Sequence, residues 1–114
     1  MLIPNRYSEI LSKSGRSLQE IGVAGAALTR QYALDAVGSL KRTQVAISGG
    51  DVLRVVDGKL RYTKDNWYIQ RLSGEDIGAY ISRSHEKAEA YIQGYQDPED
   101  GSVFYALVIS ELGI

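Results

Sequence analysis

Apolar and polar positions alternate between residues 47 and 70 in a pattern that predicts three antiparallel strands. Asp57-Gly58 is the strongest short hairpin signal in this segment, because both central residues of a tight hairpin turn adopt positive φ. With these two residues as the loop, the strand register follows directly. It pairs Val56 with Lys59, Val55 with Leu60, Arg54 with Arg61 and Leu53 with Tyr62.

A second turn around Lys64-Asp65 is expected to begin a third strand, which places Trp67 beside Tyr62 and Ile69 beside Leu60. A slip of one residue would exchange the two faces of this meander, so the pattern specifies its register. The apolar face then consists of Leu53, Val55, Leu60, Tyr62, Trp67 and Ile69. The opposite, largely polar face carries Val52, Arg54, Val56, Lys59, Arg61, Thr63, Tyr68 and Gln70.

The segment before the meander predicts two helices. Residues 5–13 predict a short helix that is stopped by Gly15. Residues 17–20 match a capping box, although the glycines that follow argue against a continuous helix there. A firmer helix is expected over residues 29–42, with Thr29 as its N-cap and basic residues at its C-terminal end.

The segment after the meander predicts a long helix over residues 75–94, capped by Ser73. Its apolar positions recur with helical spacing, as in a helix that lies on a sheet. They are Ile77, Tyr80, Ile81, Ala88, Tyr91, Ile92 and Tyr95, with Ser84 in the gap.

The continuous apolar run at residues 103–109 predicts a strand that is buried on both faces and central in its sheet. The chain is therefore expected to form one α+β domain over residues 1–114. The predicted architecture is a four-stranded, mainly antiparallel sheet, made of the meander and the C-terminal strand. The helices are expected on the apolar face of that sheet.

The composition argues against several classes of protein. Hydrophobic residues make up 44% of the chain and charged residues 24%, as in an ordinary soluble protein. No apolar run of about eighteen residues predicts a membrane span, and the first residues lack the apolar segment of a secretion signal. The absence of cysteine excludes disulfides and agrees with a cytoplasmic location. The formal charge of −1 argues against general attraction to nucleic acid.

Few residues suggest catalysis. His85 is the only histidine, and we expect it at the partly exposed border of the long helix rather than as a general base. No phosphate-binding loop, metal-ligand spacing or nucleophile–base pair is evident. The prediction is a protein that is not an enzyme, with no catalytic residue, no metal site and no cofactor.

A nucleic-acid-binding module is the alternative. The polar face of the meander would supply Arg54, Lys59, Arg61 and Tyr68, and basic and aromatic side chains on a sheet can hold a single strand. The acidic long helix beside this face argues against that alternative.

The order of several motifs resembles immunity protein family forty of bacterial polymorphic toxin systems. The resemblance is carried by residues 47–52 (Ile-Ser-Gly-Gly-Asp-Val), residues 57–62 (Asp-Gly-Lys-Leu-Arg-Tyr), residues 65–68 (Asp-Asn-Trp-Tyr) and the long helix with the strand after it. Contact-dependent growth inhibition systems carry immunity proteins of this kind. The resemblance implies a small α+β protein that binds and neutralises a cognate toxin, the C-terminal domain of a large secreted effector, in the producing cell's cytoplasm.

Many such toxins act on nucleic acid, so the implied target is a nuclease (a tRNase, another RNase or a DNase) whose active site or substrate cleft is covered. The charge distribution suggests the contact surface, because residues 72–114 hold eight acidic against two basic residues, and an acidic surface would compete for a basic cleft. The expected partner-binding residues are Glu75, Asp76, Glu86, Glu89, Asp97, Glu99 and Asp100. The sequence leaves the oligomeric state undetermined, and the polar sheet face is the second candidate surface.

Overall fold

The structure, a computed structural model, describes residues 3–112 of the chain. Within this range it has three α-helices and five strands, with one short 3₁₀ turn at Gln19–Ile21. The helices are α1 (Asn5–Ser14), α2 (Arg30–Ser39) and α3 (Ile77–Gly94), and the strands are β1 (Arg16–Ser17), β2 (Ala26–Ala27), β3 (Val45–Val56), β4 (Lys59–Tyr68) and β5 (Val103–Glu111).

The strands form two antiparallel sheets, a three-stranded sheet in the order β4-β3-β5 and a two-stranded sheet of β1 and β2. The α+β class is confirmed, but the predicted single four-stranded sheet is wrong. β3 is the central strand because it pairs with β4 on one edge and with β5 on the other, so the predicted central position of the C-terminal strand is also wrong. Outside the named strands, one antiparallel bridge joins Leu28 to Tyr105 on the other edge of β5.

The β3–β4 hairpin has the predicted register, with Arg54 opposite Arg61 and Leu53 opposite Tyr62. Its loop residues Asp57 and Gly58 have φ values of 53° and 77°, as the tight turn requires.

The predicted second turn is wrong, because β4 continues through residues 63–65 and pairs with β3 again at Asn66. Between these pairings β4 has three residues (63–65) where β3 has only Val52, so a bulge absorbs the two extra residues. The bulge explains why this segment resembles a turn in sequence, because its Lys64 has a positive φ of 76°, as turn residues often do.

The bulge changes which residues share a face. Pairing resumes after the bulge, where Trp67 pairs with Gly50 and lies on the opposite face from Tyr62. Trp67 and Tyr62, which were predicted to be neighbours, are therefore on different faces. All three helices pack on the face that carries Trp67 and Val52, which we call the helix face. The prediction placed the helices on the face of Leu53 and Leu60, and that assignment is wrong.

The face of Leu53 and Leu60, which we call the outer face, is half covered. Leu18 and Ala27, from the segment that contains the 3₁₀ turn and β2, pack on it together with Ala106. The predicted capping box does not form a helix beyond the 3₁₀ turn. Its Glu20 instead accepts a hydrogen bond from the Leu60 amide at 2.9 Å and so ties this segment to β4.

The helices begin and end close to the predicted residues. α1 buries Tyr7 and Ile10, and the predicted Gly15 follows it, although with extended rather than left-handed backbone. α2 has Thr29 as N-cap but ends at Ser39, so Lys41 and Arg42 lie beyond its last turn.

α3 begins at Ile77 rather than residue 75. Its cap is Asp76, whose carboxylate accepts a hydrogen bond from the Ala79 amide at 3.2 Å, rather than Ser73. The predicted stripe of α3 faces the sheet, with Ile81 and Ile92 buried.

Candidate functional site

α3 closes an edge of the sheet that β4 does not reach. β4 pairs with β3 only from Gly49 onward, so the first residues of β3 have backbone groups that no strand satisfies on this side. The Ser84 hydroxyl accepts a hydrogen bond from the Ile47 amide at 3.0 Å. The His85 Nε2 lies 2.7 Å from the Val45 carbonyl oxygen, and it donates because a carbonyl only accepts.

His85 is therefore a buried structural residue, and its predicted position at a partly exposed helix border is wrong. The sequence offered a weak signal for this role, because Ser84 and His85 are adjacent polar residues on a helix whose other inward positions are apolar. The hydrogen bonds of Ser84 and His85 lie near the middle of α3 and fix the helix against β3. The position of α3 in turn determines where its acidic residues lie.

At the N-terminal end of α3, Glu75 is held inside a network. Arg83 donates two hydrogen bonds of 2.8 Å to the Glu75 carboxylate, and the Leu72 amide donates a third of 2.9 Å. The hydrogen bonds from Arg83, followed by the bond from Leu72, lower the pKa of Glu75 from 4.5 to about 2. Glu75 thus orders the loop that precedes α3, and the neighbouring Asp76 caps the helix.

Beyond the C-terminal end of α3, Asp97 points inward. Its side chain is only 3% exposed and accepts a hydrogen bond of 2.8 Å from the Tyr105 hydroxyl. The Glu99 amide donates to its other oxygen at 2.7 Å, and Arg30 lies 3.9 Å away. Asp97 therefore joins the turn to β5 and α2, and its side chain offers almost no surface to a partner.

Arg30 is the cation that organises this end of the molecule. It donates hydrogen bonds to the carbonyl oxygens of Ile92, at 3.1 Å, and of Tyr95, and it lies 3.6 Å from the carboxylate of Glu99. These bonds satisfy the last carbonyls of α3, which have no partner within the helix.

The remaining acidic residues point outward. Glu89 forms an exposed ion pair with Lys41 at 3.6 Å, and Glu86 is exposed one turn earlier on α3. Asp100 is exposed and accepts hydrogen bonds from the amide and hydroxyl of Ser102, which lower its pKa.

The seven predicted residues do not form one patch. α3 has 18 residues, and a helix of this length spans about 27 Å at 1.5 Å per residue. This length separates Glu75 and Asp76 from Asp97, Glu99 and Asp100. That the seven residues bind a partner stays a prediction, while the structure gives Glu75 and Asp97 internal partners.

The alternative nucleic-acid site is divided between the two faces. Arg54, Lys59 and Arg61 share the helix face at the hairpin end of the sheet, since residues two apart on a strand share a face. Tyr68 pairs with Gly49 and lies on the outer face. The hairpin therefore does not combine its cations with an aromatic stacking platform.

The outer face carries an exposed tyrosine pair that the sequence interpretation missed. Tyr62 is 49% exposed and Tyr68 is 70% exposed, and Val108 of β5 is exposed on the same face. A shallow groove of about 290 Å³ runs beside Tyr68 over Gly49 and Asp51. The hairpin register placed Tyr62 on the face of Leu53 and Leu60, where it lies, whereas the assumed second turn placed Tyr68 on the opposite face. Reading residues 63–65 as a bulge would have revealed that Tyr62 and Tyr68 share a face.

Across residues 3–112, no three His, Asp or Glu side chains are grouped so that they could bind a metal ion. No helix within the same range combines the length and apolar character that crossing a membrane requires.

Comparison with known proteins identifies one family. The family model described as immunity protein 40 matches residues 17–109, which include all of β2, β3 and β4, the second residue of β1 and β5 up to Ile109. No curated protein and no solved structure matches this chain.

Proposed function

The chain belongs to the immunity protein 40 family, and we propose that it protects its producing cell by binding a cognate toxin domain and covering the active site or substrate cleft. The family match over residues 17–109 carries this proposal. The predicted partner is the C-terminal domain of a large secreted effector, as in contact-dependent growth inhibition, and the site of action is the cytoplasm.

In this proposal the protein acts by binding and not by catalysis. Its only histidine donates a hydrogen bond to the Val45 carbonyl inside the core, where no substrate reaches it. The carboxylate of Asp97 accepts a hydrogen bond from Tyr105 and is almost fully buried. Neither group forms a nucleophile–base pair with a neighbour, and such a pair is the usual mark of covalent catalysis.

We further propose that the toxin is a nuclease and that the outward carboxylates of α3 and the following turn face its basic substrate cleft. Of the predicted set, Asp76, Glu86, Glu89, Glu99 and Asp100 have exposed or half-exposed side chains and would make the direct contact. Glu75 and Asp97 would contribute by holding the adjoining loop and turn in place. Charges at the edge of an interface increase the association rate and make it sensitive to salt.

The test of the proposed function is protection. Cells that express the toxin domain encoded beside this chain are expected to survive only when the chain is expressed with it, and the two proteins are expected to co-purify. Cell death despite soluble, folded immunity protein would exclude the proposed partner.

The acidic contact is tested separately with the triple variant Glu86→Gln, Glu99→Gln and Asp100→Asn. We expect its association rate with the toxin to fall about tenfold at low salt and to depend less on salt. The control is Glu9→Gln with Glu111→Gln, which removes exposed carboxylates at other places. Unchanged kinetics in the triple variant would remove the acidic surface from the proposal.

A further inference from the structure

We propose that the cationic hairpin face, formed by Arg54, Lys59 and Arg61, binds an acidic surface of the cognate toxin domain. The inference rests on the proposed function and adds a second contact of opposite charge to it. Arg54 and Arg61 are directly opposite each other on β3 and β4, and Val56 pairs with Lys59 beside them. All of these side chains lie on the helix face, at the end of the sheet that projects beyond the helices.

The solvent exposure of these side chains shows that the helices do not cover the hairpin end of the sheet. Lys59 and Arg61 are exposed, Arg54 is half-buried, and Val56 is 41% exposed. Farther along the same face, Val52 is fully buried under the helices. The cationic hairpin face is therefore accessible to a partner that approaches from the side of α3.

Among the described residues, the cations of this face form no ion pair. Within residues 3–112, no carboxylate lies within 4 Å of Arg54, Lys59 or Arg61. Elsewhere, Arg16 and Arg83 each pair with a carboxylate at 3.0 Å or less. Like charges directly opposite each other on neighbouring strands destabilise a sheet. The Arg54–Arg61 pair therefore lowers stability unless a partner neutralises it.

Asp100 is a carboxylate whose charge interacts with Arg54, but its hydrogen bonds go elsewhere. The charge of Arg54 contributes to the lowered pKa of Asp100, but that effect is the smallest of those acting on the group. Asp100 directs its hydrogen bonds to Ser102 in the turn before β5. It therefore weakens the repulsion between the arginines without forming an ion pair with either of them.

The chemistry of the face fits a protein carboxylate surface better than a nucleic acid. Arginine presents a planar fork of donors that matches a carboxylate, and Arg54 and Arg61 occupy directly opposite positions on β3 and β4. A single strand would also require aromatic side chains for stacking, and the exposed Tyr62 and Tyr68 lie on the outer face. The acidic residues of α3 would in addition repel a phosphate backbone.

The decisive experiment compares the double variant Arg54→Gln, Arg61→Gln with the wild type. The probe is the toxin domain that the wild-type chain inhibits in the protection assay. We expect the dissociation constant to rise about tenfold or more, while the thermal midpoint stays the same or rises because the repulsion is gone. The matched control is Arg6→Gln, Lys87→Gln, which removes two exposed cations on α1 and α3 and is expected to leave the dissociation constant unchanged.

Each other outcome overturns the inference in a distinct way. If the double variant binds like the wild type, the hairpin contact is wrong and the proposed function stands. If binding and the thermal midpoint both fall, the arginines have a structural role, and the single exposed variant Arg61→Gln checks this result. If the wild type binds no toxin domain, the proposed function fails as well. If the wild type retains a mixed-sequence single-stranded RNA and the double variant does not, the partner is a nucleic acid.

Discussion

The two ends of β3 use polar groups in opposite ways. At its N-terminal end, Ser84 and His85 of α3 satisfy backbone groups of β3 inside the molecule. At its hairpin end, Arg54 and Arg61 face each other with no carboxylate within 4 Å in the described residues. A buried polar group must be satisfied internally, whereas an exposed charge can be neutralised by a partner. The first end therefore specifies the fold, and the second is available for binding.

The largest expected effect is at Trp67, which is buried on the helix face near the end of β4. Its ring stacks on Tyr91 with centroids 4.6 Å apart and lies over Gly50, where an added Cβ would come within 2.3 Å of the ring. Trp67→Ala is expected to lower the free energy of unfolding by about 3–5 kcal/mol, as measured by denaturant titration.

Two controls sharpen that result. Tyr68→Ala removes the exposed neighbour on the outer face and is expected to change the free energy of unfolding by less than about 0.5 kcal/mol. Trp67→Phe keeps most of the ring and removes an indole N–H that is buried without a partner among the described residues, so it should cost much less than the alanine variant. Equal losses for Trp67→Ala and Tyr68→Ala would contradict the assignment of faces.

A smaller effect is expected at Ser84. Ser84→Ala leaves the buried Ile47 amide without an acceptor, so the free energy of unfolding should fall by about 1–3 kcal/mol. Hydrogen exchange at this amide should become faster in the variant. The control is Ser82→Ala on the exposed side of the same helix, and a comparable loss there would show that helix propensity rather than the bond to β3 is responsible.

The smallest effect is expected from the Glu75–Arg83 pair and depends on pH. The pKa of Glu75 is lowered to about 2 in the folded protein, so its stabilisation is complete above pH 4.5 and is lost as the pH falls towards 2. Glu75→Gln is therefore expected to be less stable than the wild type at neutral pH, with the difference shrinking on acidification. Thermal unfolding at several pH values measures this.

Glu86→Gln serves as the control for this measurement, because Glu86 is exposed and has no ion pair among the described residues. The pH dependence of Glu75→Gln is assigned to the pair with Arg83 only if it exceeds that of Glu86→Gln. A constant difference for Glu75→Gln would mean that Arg83 does not stabilise the charged carboxylate.

Local signals predicted much of the fold, and non-local contacts account for the errors. The hairpin register was predictable because Asp57 and Gly58 determine the turn. The stripe of α3 was predictable because its spacing matches one helix face. The bulge at residues 63–65 was mistaken for a turn, because both require residues that accept unusual backbone angles. That single difference reversed the predicted neighbours of Trp67.

The candidate site was predictable only in part. Composition located an acidic C-terminal third, but the inward direction of Asp97 depends on Tyr105, and the network of Glu75 depends on Arg83. The pairing of Arg54 with Arg61 followed from the hairpin register alone. Among the described residues no carboxylate forms an ion pair with these two arginines. This could be known only from the tertiary structure, because it depends on where all the other elements lie.

The sequence by itself determined the α+β class, the hairpin and its like-charge pair, and the apolar stripe of α3, because each depends on residues that are near one another along the chain. Only the tertiary structure decided which face of the sheet the helices cover and that Ser84 and His85 bond to the free edge of β3. It also decided which carboxylates point outward. These features depend on contacts between distant segments, and local backbone preferences do not encode such contacts.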